Sequence, residues 1–181
     1  IESYAQTAKE KGKEGYIVTL QAPSYIPFMK YSANRSLRQQ LYMAYNTQCI
    51  HDNEYNNTEI VKKLVNLRLE RAQLLGYSSV ADFVLKKRMA ENSRNVYNLL
   101  DQLLEAYGPT AQKEVEEVQN LAKQLEGADF QLMPWDWAYW SEKYKVATFD
   151  YNEEDVKPYF ELENVKKGIF TLAERLYGIR F

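Results

Sequence analysis

One histidine, one cysteine and seven glycines are all that 181 residues contain of three residue types on which much enzyme chemistry depends. Each scarcity excludes something. A protein zinc site draws three or four ligands from His, Cys and carboxylates, and an H-E-x-x-H helix needs two histidines on one face. His51 alone supplies neither. A Ser-His-Asp triad would have to use His51, which sits in the run Cys49-Ile50-His51-Asp52-Asn53 without a nucleophile elbow and reads as an exposed loop histidine. The lone Cys49 rules out an internal disulfide, leaves the redox compartment open and reads as a buried structural thiol. The glycines form neither G-x-G-x-x-G nor a P-loop. No catalytic residue and no metal ligand is assigned within the chain, which by itself is expected to catalyse nothing.

Charge of one sign is also missing. The formal net charge is −2 and the isoelectric point about 5.6, so the basic field of a nucleic-acid binder is absent. The run Lys86-Lys87-Arg88 reads as a solvated helix face. No apolar stretch approaches the ~18 residues of a membrane span. Neither nucleic acid nor membrane is therefore an expected partner. The first residue is Ile and no signal-peptide pattern follows, which makes an excised segment of a longer protein the expectation.

What the chain does have is helical periodicity on a globular composition, 45% hydrophobic and 27% charged. A length near this buries roughly 70% of the extended chain's surface on folding. Over 57–75 the apolar residues Ile60, Leu64, Leu67, Ala72 and Leu75 fall mostly three or four apart, and Gly76 supplies a left-handed stop. Ser78 or Ser79 can cap a shorter helix through Leu85. The longest stripe, over 95–126, runs Val96, Leu100, Leu103, Tyr107, Ala111, Val115, Val118, Ala122 and Leu125. Pro109 predicts a kink or break within it. Glu114, Glu116 and Glu117 lie off the stripe and read as a solvated face. Further helices are expected at 2–11, 35–48 with Asn34 as N-cap, 135–145, and 162–177 with Gly178 as stop; Pro27 suits the first turn of a short helix.

One stretch differs. Gly15-Tyr16-Ile17-Val18-Thr19-Leu20 is β-branched and aromatic and predicts a strand or hairpin. Its ladder groups need a partner, either 146–149 or a segment outside this chain. The expected fold is thus mainly α, one helical unit over 1–181 with a short strand near 15–20.

All three tryptophans lie in P-W-D-W-A-Y-W-S-E-K-Y, residues 134–144. On a helix starting near Pro134, Trp137, Trp140 and Tyr144 share one face and Trp135 and Tyr139 an adjacent one. Asp136 then sits in the first turn, where the helix dipole favours a carboxylate. These rings either cement the helix between neighbours, each burying about 150–250 Å², or place Asp136 and Tyr139 in a binding wall. A sticky patch for a partner is the third possibility. Arg35 and Arg38, three apart, either hold a substrate carboxylate in bidentate fashion or form structural salt bridges.

Four ordered stretches resemble one known family: G-Y-I-V-T-L-Q-A-P-S-Y-I-P-F-M-K-Y-S-A-N-R-S-L-R (15–38), L-E-R-A-Q-L-L-G-Y-S-S-V-A-D-F (69–83), W-D-W-A-Y-W-S-E-K (135–143) and P-Y-F-E-L-E-N-V-K-K-G-I-F-T-L-A-E-R-L-Y-G-I (158–179). They are similar to the thimet-oligopeptidase family of zinc metallopeptidases, in particular its peptidyl-dipeptidase (dipeptidyl carboxypeptidase) branch. The resemblance implies a helical segment of a zincin-like oligopeptidase, preceding the half that carries H-E-x-x-H. It further implies that the intact protein uses zinc and a glutamate base to hydrolyse short peptides in a deep channel, releasing C-terminal dipeptides. This segment would bind no zinc itself; it would supply scaffold and channel wall, with Asp136, Tyr139, Arg35 and Arg38 as the substrate-channel candidates. Its partners would be short peptides and the missing catalytic half, with cytoplasm favoured over periplasm. Two positions depart from the family pattern: Gln48 stands after A-Y-N-T where an arginine is frequent, and Trp140 replaces the second tyrosine of W-D-x-x-Y-Y. The rival function is a non-catalytic helical interaction module that binds a protein through the aromatic patch.

Overall fold

The computed structural model describes residues 2–150 and 153–181. The chain divides into two compact units, Ile1–Trp140 and Ser141–Phe181, and both are helical. The first holds α1 (Glu2–Glu10), α2 (Ala22–Tyr31), α3 (Arg35–Asn46), α4 (Thr58–Leu74), α5 (Val80–Leu85), α6 (Ser93–Glu126) and the first turn of α7 (Trp137–Phe149). The second holds the rest of α7, then α8 (Glu153–Val156), a 3₁₀ turn (Lys157–Phe160) and α9 (Leu162–Tyr177).

Side-chain capping sets the starts of three helices. Asn34 accepts the Leu37 N–H at 3.1 Å, Ser79 accepts from Asp82, and Asn92 accepts from Asn95 at 3.0 Å. Each satisfies a backbone donor that the helix itself cannot. At the far ends, Gly76 (φ +82°) and Gly178 (φ +68°) adopt left-handed backbone, which a Cβ would strain. After Gly178 the chain turns back, and Phe181 stacks on Phe170 with ring centroids 4.6 Å apart.

Several local expectations change. Among the described residues no strand forms. Residues 15–20 run as irregular chain, with the Ile17 N–H donating to the Tyr4 carbonyl at 3.1 Å and the Thr19 N–H to Ser24 Oγ at 2.8 Å. Helices α1 and α2 thus take donors that a ladder would use, and 146–149, the possible partner, is the last turn of α7. Pro109 does not break α6, which is continuous from Ser93 to Glu126. The residue before it is Gly108, so the clash between a proline ring and a preceding Cβ never arises. Pro27 lies inside α2 rather than in its first turn, a place taken by Pro23. Cys49 is exposed and has φ +59°, not a buried thiol, because it follows the last residues of α3 into a turn where Asn57 N–H reaches its carbonyl.

The α4–α5 turn is fastened to the start of α6 through one carboxylate. Asp82 accepts from Ser78 Oγ at 2.6 Å, Ser79 Oγ at 2.8 Å and, on its other oxygen, Ser93 Oγ at 3.4 Å. Ser78, then Ser79, hold its pKa below the ordinary 3.8, against a smaller opposing effect of burial. A carboxyl whose folded pKa is depressed adds stability above its unfolded value and loses it as pH falls through the folded one. Asp82→Asn is therefore expected to lower stability at pH 7. The difference from the parent should begin to shrink as pH drops below 3.8 and vanish in stronger acid, in urea titrations repeated across that range.

Candidate functional site

Asp136 is the centre of the first unit. It lies immediately before α7, its carbonyl accepts the Trp140 N–H at 3.0 Å, and its own N–H donates to the Met133 carbonyl at 2.8 Å. Met133 N–H returns a bond to Asp136 Oδ2 at 3.1 Å. This reciprocal turn aims the carboxylate away from solvent: Asp136 is fully buried.

Two arginines from the first turn of α3 meet it there. Arg35 Nη2 donates to Oδ2 at 2.6 Å, and Arg35 Nε donates to Oδ2 at 3.0 Å and to Oδ1 at 3.2 Å. Arg38 Nη2 donates to Oδ1 at 2.8 Å. Arg38, 2% exposed, also donates from Nη1 to the Ser32 carbonyl at 2.7 Å and from Nε to the Trp135 carbonyl at 3.3 Å. Asn34 matters to this geometry because its cap fixes where α3 starts, and a three-residue spacing then puts both guanidiniums on one side of the helix.

Aromatic rings close the cluster. The Arg35 guanidinium lies 4.4 Å from the Phe130 ring centroid and that of Arg38 4.2 Å from Tyr139. Trp140 meets both rings edge-on, at 5.7 Å from Phe130 and 5.3 Å from Tyr139. Trp135 packs edge-on against Tyr42 at 6.3 Å. Of the three tryptophans, Trp140 is buried, Trp135 half-buried, and Trp137 is 42% exposed. Low dielectric strengthens the charge contacts, and each ring face adds about 0.5–2 kcal/mol where a cation is partly desolvated. The loop that carries Phe130 is pinned in turn by Gln119 of α6, which donates to the Phe130 carbonyl at 2.8 Å and accepts from Leu132 N–H at 2.9 Å.

All four candidate residues, Arg35, Arg38, Asp136 and Tyr139, thus stand together. Arg38 and Asp136 are buried, Tyr139 is half-buried, and the Arg35 side chain keeps 43% of its surface exposed. Arg35 borders a cleft of 580 Å³ together with Gln39, Phe130, Gln131, Met133 and Trp135. Gln119 and Phe130 were not predicted from sequence. The available signal was Gln119 beside Val118, a polar side chain at the buried end of the α6 stripe. Nearby, Tyr25 stacks on Tyr45 at 4.4 Å; burial, then the Tyr42 and Tyr45 phenols, push the Tyr25 hydroxyl above its usual pKa. Trp140, the departure from the family pattern, fills the space beside Tyr139 with carbon. Gln48, the other, donates its side chain to the Tyr45 carbonyl at 2.9 Å.

Among the described residues, no three His, Cys, Asp or Glu side chains gather as metal ligands would. The described residues do not fit a zinc ion, and no step of hydrolysis is assigned to them. Nor is any described helix long and apolar enough to cross a membrane.

Residues 28–181 match the model of peptidase family M3, and the chain belongs to that family. It is 35% identical to the oligopeptidase A of Haemophilus influenzae over 99% of this chain and 27% of that protein. With the oligopeptidase A of Escherichia coli it shares 37% identity, over 95% and 26%. The dipeptidyl carboxypeptidase of Escherichia coli is 30% identical, over 98% and 26%. The chain spans about a quarter of the length of these curated relatives.

Removing one partner of a buried ion pair leaves the other charge stranded, at about 3–5 kcal/mol. Asp136→Ala is expected to cost that much, because Arg38 would stay buried. Arg35→Ala should cost less than half as much, since water can reach that side chain and Arg38 still neutralises the carboxylate. Urea unfolding of the two variants, followed by tryptophan fluorescence, checks the order.

Proposed function

We propose that this chain is the scaffold and channel-wall segment of a zinc metallopeptidase that hydrolyses short peptides. Membership of the M3 family over residues 28–181 carries the reading. The zinc ligands and catalytic base would lie in other parts of the polypeptide, because this chain brings no ligand set together among its described residues. The role left to these residues is to hold a wall in place and to touch peptide. Asp136 and Arg38 reach no solvent, so they position. Arg35 and Tyr139 keep exposed surface and are the side chains that would meet a substrate.

Release of C-terminal dipeptides is the expected product, in keeping with the relative named dipeptidyl carboxypeptidase. Higher identity to proteins named oligopeptidase A favours a second reading, cleavage inside short peptides. The interaction-module alternative is less favoured, since Trp140 is buried and Trp135 half-buried, which leaves Trp137 as the exposed tryptophan of the stretch. Cytoplasm remains the proposed compartment.

Full-length protein should cleave a fluorogenic peptide of about ten residues, lose activity with a chelator and regain it with zinc. Mass spectrometry of the products distinguishes dipeptide release from internal cleavage. Arg35→Ala should raise KM several-fold with kcat little changed, as expected for lost ground-state contact. A full-length protein inert with zinc bound would end the proposal.

A further inference from the structure

The apolar stripe of α6 changes environment partway along. In its C-terminal half it is buried at Val118 (3% exposed) and Ala122 (0%), with Leu125 at the very end 63% exposed. The same face continues toward the N-terminus through Leu100, Leu103 and Tyr107, which are 51%, 42% and 66% exposed. Positions 100, 103, 107, 118 and 122 fall within about 100° of helix arc at 100° per residue, so this is one face and not two. Helix α4 carries a second exposed stripe, and its buried residue lies on an adjacent face. Ile60, Leu64 and Leu67 are exposed, while Ala72 near the helix end is buried.

The exposed area is too large for a finished surface. A folded chain of 21.3 kDa exposes about 9,100 Å², and two separate folded bodies of 140 and 41 residues would together expose about 10,600 Å². This chain exposes 14940 Å². The excess, at least about 4,000 Å², is several times the ≈800 Å² that one partner contributes to a standard interface. A second copy seated on one patch would cover a fraction of it. The relatives, by contrast, have about three times as much additional polypeptide as the chain covers, enough to pack on several faces at once.

We propose that the exposed stripe of α6 over Leu100–Tyr107 and the Ile60–Leu67 stripe of α4 are docking faces for helices of the same polypeptide beyond residues 1–181. The proposal rests on the reading of this chain as part of a longer M3 peptidase and adds where the rest attaches. The spacing of three and four fixes the occupant's chemistry: another amphipathic helix whose ridges enter these grooves. An extended strand would find no free backbone ladder on a helix face.

Single cysteines in full-length protein, in a Cys49→Ser background, test this. Leu103→Cys and Leu64→Cys report the stripes; Glu105→Cys and Lys62→Cys report the opposite faces. Native-state labelling with a maleimide should be at least a hundredfold slower at the stripe positions than at the controls, and independent of protein concentration. Equal rates would overturn the proposal, and so would protection that disappears on dilution, which would assign the faces to a second copy. Hydrogen exchange of the unsubstituted full-length protein over 58–71 and 96–110 gives the same reading if a cysteine variant misfolds; fast exchange there sinks the idea. Zinc-dependent peptide cleavage is assayed on the same samples. Protection without cleavage would leave the docking faces standing and remove the peptidase reading; cleavage without protection would do the reverse.

Discussion

A carboxylate with no access to water has to be neutralised where it stands, and Asp136 imposes that requirement on everything around it. Desolvating an isolated charge costs several kcal/mol even after relaxation. Two guanidiniums and a backbone N–H meet the demand. Because the donors belong to α3 and the acceptor to the residue before α7, satisfying one side chain joins segments about a hundred residues apart in sequence. The remaining Arg38 donors go to the Ser32 and Trp135 carbonyls, so the same charge also fixes the ends of two loops. Among the described residues few large apolar side chains are buried, so a polar clamp with aromatic walls carries long-range contacts of the first unit.

That dependence explains which features could be read from sequence. Helix starts are local matters: Asn34 and Ser79 have a short acceptor and the next donors lie three residues on, so the cap needs nothing from elsewhere. Gly76 and Gly178 likewise declare left-handed turns by themselves. The pairing of Arg35 and Arg38 could be proposed from their spacing, but not their partner, since Asp136 reads equally well as an ordinary first-turn carboxylate. The 15–20 segment failed for the complementary reason. Strand propensity describes a side chain's fit to a pleated surface, and here the donors of Ile17 and Thr19 are taken by Tyr4 and Ser24.

Burial was the least legible quantity. Periodicity marks a face that wants covering but does not say what covers it. On α6 the same stripe is buried at Val118 and exposed at Tyr107, with no change in spacing between them. The 134–144 stretch shows the other side of this. A helix from Pro134 predicts two aromatic faces; the Trp137, Trp140 and Tyr144 face falls within α7, but Trp135 and Asp136 precede it, and the turn, rather than the helix, brings them to α3. A helical wheel extended through Trp135, which is not helical, pairs it with Tyr139 on a face that the turn does not form.

A side chain that braces a fold and one that carries out catalysis face different physical demands. Arg38 and Asp136 meet in a direct contact of 2.8 Å with both side chains buried. Such a pair braces α3 against the turn before α7. The one member left partly in water, Arg35, already has Nε and Nη2 engaged by Asp136 and Gln131, so its guanidinium is oriented before any ligand arrives. Preorganised donors lose little further freedom on binding, and a peptide lying in the cleft beside Phe130 and Trp135 would meet a charge whose direction the buried carboxylate has already set.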